Sequence, residues 1–176
     1  DVYKRQMQDD PEPESQKEEQ QSYSVYEQAQ RYRTAKAVLQ DIYALDAEHA
    51  EAVKALEQLW EEGYTVAAHQ LGKFYRDDLS TLRDHEKAEQ WFRRSAEAGN
   101  DFSEYALGKL LLTQKRTVEA LEWLGKAADH GNQFARYRLG KIYLAGEFVP
   151  KDVEKALVYL TASADQGNQF AQYTFG

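Results

Sequence analysis

The chain has no cysteine, three prolines and a single methionine among its 176 residues. The missing cysteine excludes disulfides, thiolate metal sites, iron–sulfur clusters and cysteine nucleophiles. No apolar run approaches the ~20 residues of a membrane-spanning helix, and no signal-peptide core is present. Acidic side chains outnumber basic ones by 30 to 22, which excludes a strongly basic nucleic-acid module as a description of the whole chain. We therefore expect a soluble, cytoplasmic protein without a membrane partner.

The first 22 residues are rich in acidic side chains and poor in apolar ones. From Met7 to Ser22 only Met7 is apolar, so the segment cannot bury enough surface to offset its ordering entropy. We predict a disordered acidic linker over residues 1–22, with a solvated helix extension from about Glu18 as the alternative. Residues 1–6 (DVYKRQ) resemble the translation of a transposon mosaic-end sequence used for sequencing libraries, so we interpret them as a sequencing or cloning scar.

Two columns of glycine recur along the chain and account for eight of its ten glycines. The first column holds Gly63, Gly99, Gly131 and Gly167, which are spaced by 36, 32 and 36 residues. The second column lies nine residues after each of these, where Leu-Gly or Phe-Gly occurs. Self-similarity at a period in this range indicates a repeat architecture.

Each repeat also carries an alanine, an aromatic residue and a small pair at helical spacing. These spacings place the side chains on one helix face, where small residues permit close helix approach and the ring fills the space beside them. The sets are Ala88, Trp91 and Ser95-Ala96; Ala120, Trp123 and Ala127-Ala128; Ala156, Tyr159 and Ser163-Ala164.

Each repeat is therefore predicted to be a pair of helices, called helix A and helix B. Helix A begins after Gly-Asn, where glycine ends the preceding helix in a left-handed conformation and asparagine caps the next. Helix B begins near Asp84, Thr117 or Asp152, which are good N-cap residue types. The second glycine column, as at Gly108, falls inside helix A at a cost of ~1 kcal/mol relative to alanine, so we expect a neighbouring helix to approach closely there.

The order of these features predicts the organisation of the whole chain. Upstream of the repeats, residues 23–62 form a degenerate helix pair that we expect to cap the array. Residues 167–176 begin a further helix A without its loop and helix B, so we expect a truncated array whose apolar edge favours self-association. The repeats between them are predicted at residues 63–98, 99–130 (with a shorter loop) and 131–166.

The repeats resemble a known family in two long strings, FARYRLGKIYLAGEFVPKDVEKALVYLTASADQGN and VAAHQLGKFYRDDLSTLRDHEKAEQWFRRSAEAGN. They strongly resemble Sel1-like repeats, which are related to tetratricopeptide arrays and have a pattern of Ala, Leu-Gly, Tyr, a Gly-containing loop, Asp, Lys-Ala, an aromatic residue and Ala-Ala before Gly. The chain departs from that pattern at Gln114 to Arg116, where the Gly-containing loop is missing, and at Leu111, where Tyr is usual. The resemblance implies an all-α, right-handed α-solenoid that works as an adaptor for protein assembly.

A second, looser resemblance concerns the parent protein. Segments such as YALGKLLL and KDVEKAL are similar to the Sel1-bearing tails of large bacterial mobilization relaxases. Those enzymes nick plasmid or transposon DNA with a separate N-terminal domain built around Tyr and clustered metal-binding His, and nothing of that domain is visible in this sequence. An accessory C-terminal region of such an enzyme is therefore the alternative to an interaction scaffold.

No catalytic or metal-ligating constellation is evident in the sequence. The four histidines lie in different repeats or at helix ends, and none is paired at i, i+4 as in a zinc-protease helix. There is no Gly-rich phosphate loop and no nucleophile elbow. We expect a fragment that is not an enzyme and that holds neither metal nor cofactor.

The patterned feature outside the packing face lies on helix A, which forms the concave surface in a solenoid of this kind. Equivalent positions form columns of aromatic or imidazole rings, then lysines, so we predict a groove for a protein or peptide that carries acidic groups, with nucleic acid ranked second because of the net charge of -8. The alternative is that the Tyr and Phe columns seal the inter-repeat core while the lysines are merely solvated. The candidate partner-binding residues are His69, Lys73, Arg76, Phe102, Tyr105, Lys109, Leu112, Phe134, Tyr137, Lys141 and Leu144.

Overall fold

The computed structural model describes residues 14–77 and 84–175, with side chains from residue 24 to 77 and from 84 to 174. All regular secondary structure in these residues is helical, as predicted. No helix among them is both long and apolar enough to cross a membrane. The helices are α1 Glu14–Gln40, α2 Asp46–Glu61, α3 Val66–Arg76, α4 His85–Glu97, α5 Asp101–Thr113, α6 Thr117–Asp129, α7 Gln133–Ala145, α8 Val153–Asp165 and α9 Gln169–Phe175.

The chain divides into two compact units, residues 1–55 and 56–176. In the first unit the backbone is helical from Glu14, so the disorder predicted for residues 14–22 is wrong and the helical alternative applies. Glu, Gln and Lys are good helix formers, and extending an existing helix avoids the cost of a new nucleus. Residues 1–13, for which a linker and a scar were also predicted, lie outside the described residues.

The second unit contains the helix pairs α3–α4, α5–α6 and α7–α8, followed by α9. The predicted entry into helix A is confirmed at all three Gly-Asn pairs. Gly99, Gly131 and Gly167 have φ of +85°, +91° and +89°, a left-handed conformation that glycine adopts without steric cost. The asparagine that follows accepts a hydrogen bond on its side chain from a backbone N–H three residues later, at 2.9–3.1 Å.

The start of helix B follows the prediction in two repeats and departs from it in the third. Asp84 accepts from the backbone N–H groups of Glu86 and Lys87, and Asp152 accepts from that of Lys155. In the middle repeat Thr117 is not the cap, because Arg116 occupies the N-cap position and makes no side-chain cap hydrogen bond. The shorter connection consists of residues 114–116, so Arg116 falls at the N-cap position and Thr117 becomes the first helical residue.

Helix A and helix B of each repeat pack closely at the two small-residue columns. Ala88, Ala120 and Ala156 are completely buried, which confirms their predicted place in the core. A Cβ added at Gly108 would lie 2.7 Å from Leu124 Cγ and 3.1 Å from the Ala120 carbonyl oxygen. Since such distances are closer than carbon atoms tolerate, the glycine permits the contact between α5 and α6, as predicted.

Candidate functional site

The helix-A face of the second unit contains a cavity of about 250 Å³. It opens between α3, α5 and α7, so residues from three successive repeats converge on it. Seven of its eight lining residues belong to the predicted site, and the eighth, Ala106, does not. The lining residues are His69, Lys73, Arg76, Phe102, Tyr105, Ala106, Lys109 and Phe134.

The remaining predicted site residues lie elsewhere. Leu112 is 8% exposed and contributes to the core of the middle repeat rather than to the cavity surface. Lys141 and Leu144 are exposed, and Tyr137 is half-buried on the next turn of α7. The structure therefore brings seven of the eleven predicted residues together at the cavity and leaves the other four outside its lining.

Aromatic rings connect each repeat to the next along this face. The ring centroids of His69 and Phe102 are 6.4 Å apart, and those of Tyr105 and Phe134 are 6.0 Å apart. Tyr137 and Phe170 repeat the contact at 6.0 Å. Such ring pairs stabilise the seams. The phenylalanines nevertheless remain 38–66% exposed, so one face of each ring is available to a ligand.

His69 is anchored by a chain of hydrogen bonds that crosses the seam between the first two repeats. The Ser103 hydroxyl donates to Ser95 Oγ at 2.8 Å, and both serines are fully buried. His69 Nδ1 lies 2.6 Å from Ser103 Oγ. This contact, together with the buried serine pair behind it, holds the imidazole ring in place at the cavity wall.

The cations of this face are unequally neutralised. Arg76 Nη2 lies 2.9 Å from Asp77 Oδ1. Lys109 has its ammonium 5.3 Å from the Tyr105 ring centroid. Burial lowers the pKa of Lys109, and the positive charges of Arg76 and Arg138 lower it further. Among the described residues, none of the ion pairs involves Lys73, Lys109 or Arg138.

Arg138 is a residue of this region that sequence reasoning missed. Its charge acts on both Tyr105 and Lys109, and its Nε is buried without an acceptor in the described part of the chain. One signal was available in the sequence, because the equivalent positions of the preceding repeats are Gln70 and Ala106. An arginine in a column of buried neutral residues is a break in the pattern. We call the surface formed by His69, Lys73, Phe102, Tyr105 and Lys109 the cationic groove.

An ionic cluster on the helix-B face was also missed, since those charges were interpreted as solvated. Arg93 donates to Glu89 at 3.0 Å and to Glu119 at 2.6 Å, and Arg116 reaches the same two carboxylates at 2.7 and 2.6 Å. Burial alone would raise the pKa of Glu89, but hydrogen bonds from Arg93, Arg116 and Gln114 outweigh it and lower that pKa. The hydrogen bond from Arg93 lowers the pKa of Glu119. The cluster thus joins the first repeat to the second.

Polar contacts at the helix-A entries also cross the seams. His130 Nδ1 lies 2.8 Å from Oε2 of Glu104, which is 2% exposed. Asn132 Nδ2 donates to Asp101 at 2.9 Å, whereas Asn168 Nδ2 is buried without a hydrogen-bond partner in the described part of the chain. Within the described residues no three His, Asp or Glu side chains cluster as a metal site would require. The geometry of the described residues therefore offers rings, cations and a cavity for binding.

Comparisons with known proteins agree with this architecture. The family model described as Sel1 repeat matches residues 65–100, 102–132 and 133–168. Two solved structures share the fold: a Sel1 repeat protein from Oxalobacter formigenes (TM-score 0.68, 28% identity) and c5321, a protective antigen of uropathogenic Escherichia coli with an SLR fold (TM-score 0.70, 25% identity). Each match covers 82% of this chain, but only 60% and 32% of those proteins, respectively. No curated protein matches the sequence with significance.

Proposed function

The chain belongs to the Sel1 repeat family, whose members are generally non-catalytic scaffolds for protein–protein interaction, and from this premise we propose that it binds a partner protein through the cationic groove. The partner contributes an extended segment that carries acidic side chains. We place this chain in the cytoplasm. Because it has no cysteine, it forms no disulfide and does not require an oxidising compartment.

One observation carries the proposal: the cavity is lined by four cationic or imidazole side chains and three aromatic rings, with no carboxylate among its lining residues. The chain as a whole has a net charge of -8, so this local excess of positive charge runs against the background. Positive charges steer and orient an acidic segment, while exposed ring faces supply the apolar area that it buries.

The lysines must act together, because a single exposed ion pair contributes only ~0.2–1 kcal/mol. The test is therefore the triple variant Lys73→Glu, Lys109→Glu, Lys141→Glu. Its matched control is Lys87→Glu, Lys126→Glu, Lys155→Glu, which reverses one exposed lysine on helix B of each repeat.

Both variants are compared with the wild type in binding to an array of extended acidic peptides and in pull-downs from the native host. We expect the helix-A triple to lose binding and the helix-B triple to retain it. Retention of the same partners by both would show that the three helix-A lysines are ordinary solvated side chains. A single-stranded oligonucleotide is the second ligand, and we expect it to bind more weakly because the negative charge of the chain repels phosphate.

The alternative function, an accessory region of a mobilization relaxase, is compatible with a scaffold and is decided by the gene. An upstream reading frame that encodes clustered histidines and a catalytic tyrosine would support it.

Self-association is a separate proposal that involves α9, where Phe170 and Tyr173 are 66% and 82% exposed. Sedimentation velocity at several concentrations tests it, and a concentration-independent monomer would contradict it.

A further inference from the structure

A second, smaller cavity lies beside the first on the second unit. Its volume is about 150 Å³, and it is formed where α5 and α7 begin. Phe102 and Phe134 line both cavities, and their side chains are 52% and 38% exposed. A partner segment that lies on these two rings therefore borders both cavities at once.

The two cavities are opposite in charge. The first is lined by Lys73, Arg76 and Lys109 and by no carboxylate. In the second, Asp101 is the single charged side chain among the lining residues, and the other polar side chains are amides. The surface thus changes from positive to negative across the two phenylalanine rings, so a segment of one charge throughout would match only half of it.

Asp101 retains acceptor capacity at the wall of the second cavity. Its Oδ2 accepts a hydrogen bond from Asn132 Nδ2 at 2.9 Å, whereas an ionised carboxylate can accept about four. Among the described residues, none of the ion pairs includes Asp101. Gln166 Nε2 donates to the Gly131 carbonyl at 2.7 Å, so the amide oxygen of Gln166 remains an acceptor. A cationic side chain supplies the donors that these oxygens match.

We propose that the second cavity is a cation subsite, in which Asp101 pairs with a lysine or arginine of the partner segment. An apolar side chain of the same segment lies on Phe102 and Phe134, and an acidic one reaches Lys109. This inference rests on the proposed function and makes it more specific, since it assigns the partner an acidic, an apolar and a basic residue in that spatial order.

The spacing of the two charges fits an extended segment. Asp101 and Lys109 lie on α5, eight residues apart, which corresponds to ~12 Å along the helix axis. An extended chain advances ~3.3 Å per residue and points alternate side chains to the same side. Residues i, i+2 and i+4 of the segment therefore face the groove together over ~13 Å, and these three positions carry the acidic, apolar and basic side chains.

The subsite is tested by calorimetric titration of the full chain with peptides that are acetylated and amidated at their ends. The parent peptide is Gly-Asp-Ser-Leu-Ser-Lys-Gly or its reverse, whichever binds more tightly, because the segment can run in either direction along α5. A second peptide replaces its Lys by Gln, and a third replaces its Leu by Ala. We expect the parent to bind about threefold to tenfold more tightly than the Gln peptide, as one half-buried ion pair would give.

The matching protein variant is Asp101→Asn, which removes the charge and keeps an oxygen for Asn132. Its control is Glu154→Gln, because Glu154 is also an acidic residue in the first turn of a helix but lines neither cavity. We expect Asp101→Asn to weaken the parent peptide about threefold to tenfold and to leave the Gln peptide unchanged. The control should leave both affinities unchanged, with a similar change in melting temperature.

A loss that is confined to the Lys peptide separates a ligand-binding role of Asp101 from a structural one. Equal binding of the Lys and Gln peptides to the wild type would overturn the cation subsite, as would an equal loss of both on Asp101→Asn. If the two peptides bind equally to the wild type and more weakly to the helix-A triple variant, the subsite is wrong and the proposed function stands. If no peptide binds while that triple variant loses the native partner, the same conclusion follows.

Discussion

Arginines on the two faces of the repeat array are in opposite electrostatic situations. On the helix-B face, Arg93 and Arg116 share two carboxylates from neighbouring repeats at 2.6–3.0 Å. On the helix-A face, Arg138 has a buried donor with no acceptor among the described residues, and it stands beside another cation. Charges of the first kind hold repeats together, whereas the charge of Arg138 makes no ion pair in the described part of the chain.

Close packing of helix A on helix B keeps the two faces at a fixed distance. We expect Gly108→Ala, which disturbs this packing, to have the largest effect on stability. Its Cβ would meet Leu124 Cγ at 2.7 Å, so we expect a loss of ~1–3 kcal/mol in the free energy of unfolding. Gly125→Ala is the control, because nothing lies within 4 Å of its Cβ position. It should stabilise α6 by ~0.5–1 kcal/mol. Urea unfolding of the two variants measures both values, and equal effects would contradict the close approach.

Replacing one arginine on each face tests the comparison directly. Arg93→Met leaves Glu89 and Glu119 with one cation between them, and we expect it to cost ~1 kcal/mol in unfolding free energy. Arg138→Met removes a charge that makes no ion pair within the described ranges, so the unfolding free energy of this variant should stay equal or rise. Thermal and urea unfolding measure both. A larger loss for Arg138→Met than for Arg93→Met would reverse the assignment of the two faces.

A second orphaned donor shows whether the chain can satisfy such a group by itself. Asn132 Nδ2 donates to Asp101. The residue equivalent to Asp101 opposite Asn168 is Gln133, and Asn168 Nδ2 has no acceptor among the residues that the structure describes. Gln133→Asp restores the acceptor, and we expect a gain of ~0.5–1 kcal/mol. The Ser163 hydroxyl donates to the backbone carbonyl of residue 133, so that contact is retained. Chemical denaturation measures the gain, with Gln133→Ala as the control that should give none.

The smallest expected effect is a dependence of the helix-B cluster on pH. The pKa values of Glu89 and Glu119 are lowered from 4.5, so the folded state favours their charged forms. Their contribution to stability is therefore complete above about pH 4.5 and is lost as the pH falls through the lower folded-state values. The difference in unfolding free energy between the wild type and Arg93→Met should shrink over that acidic range. A difference that stays constant with pH would show that the carboxylates are not coupled to Arg93.

The sequence by itself determined the features that depend on nearest neighbours along the chain. The Gly-Asn boundaries, the asparagine and aspartate caps, and the buried alanine column each follow from local conformation or helical spacing, and each is found where it was predicted. The columns of the candidate groove were also predictable, because equivalent positions in stacked repeats must lie side by side.

Only the tertiary structure decided which charges find partners. Arg116 and Glu89 are 27 residues apart, and nothing in their local pattern distinguishes this pair from solvated charges. Leu112 belongs to a predicted binding column but is buried, and Arg138 lies outside the columns yet places its charge beside Tyr105 and Lys109. The reason is physical: helical spacing fixes the face on which a side chain lies, whereas its desolvation and its partners depend on how closely the next repeat packs against that face.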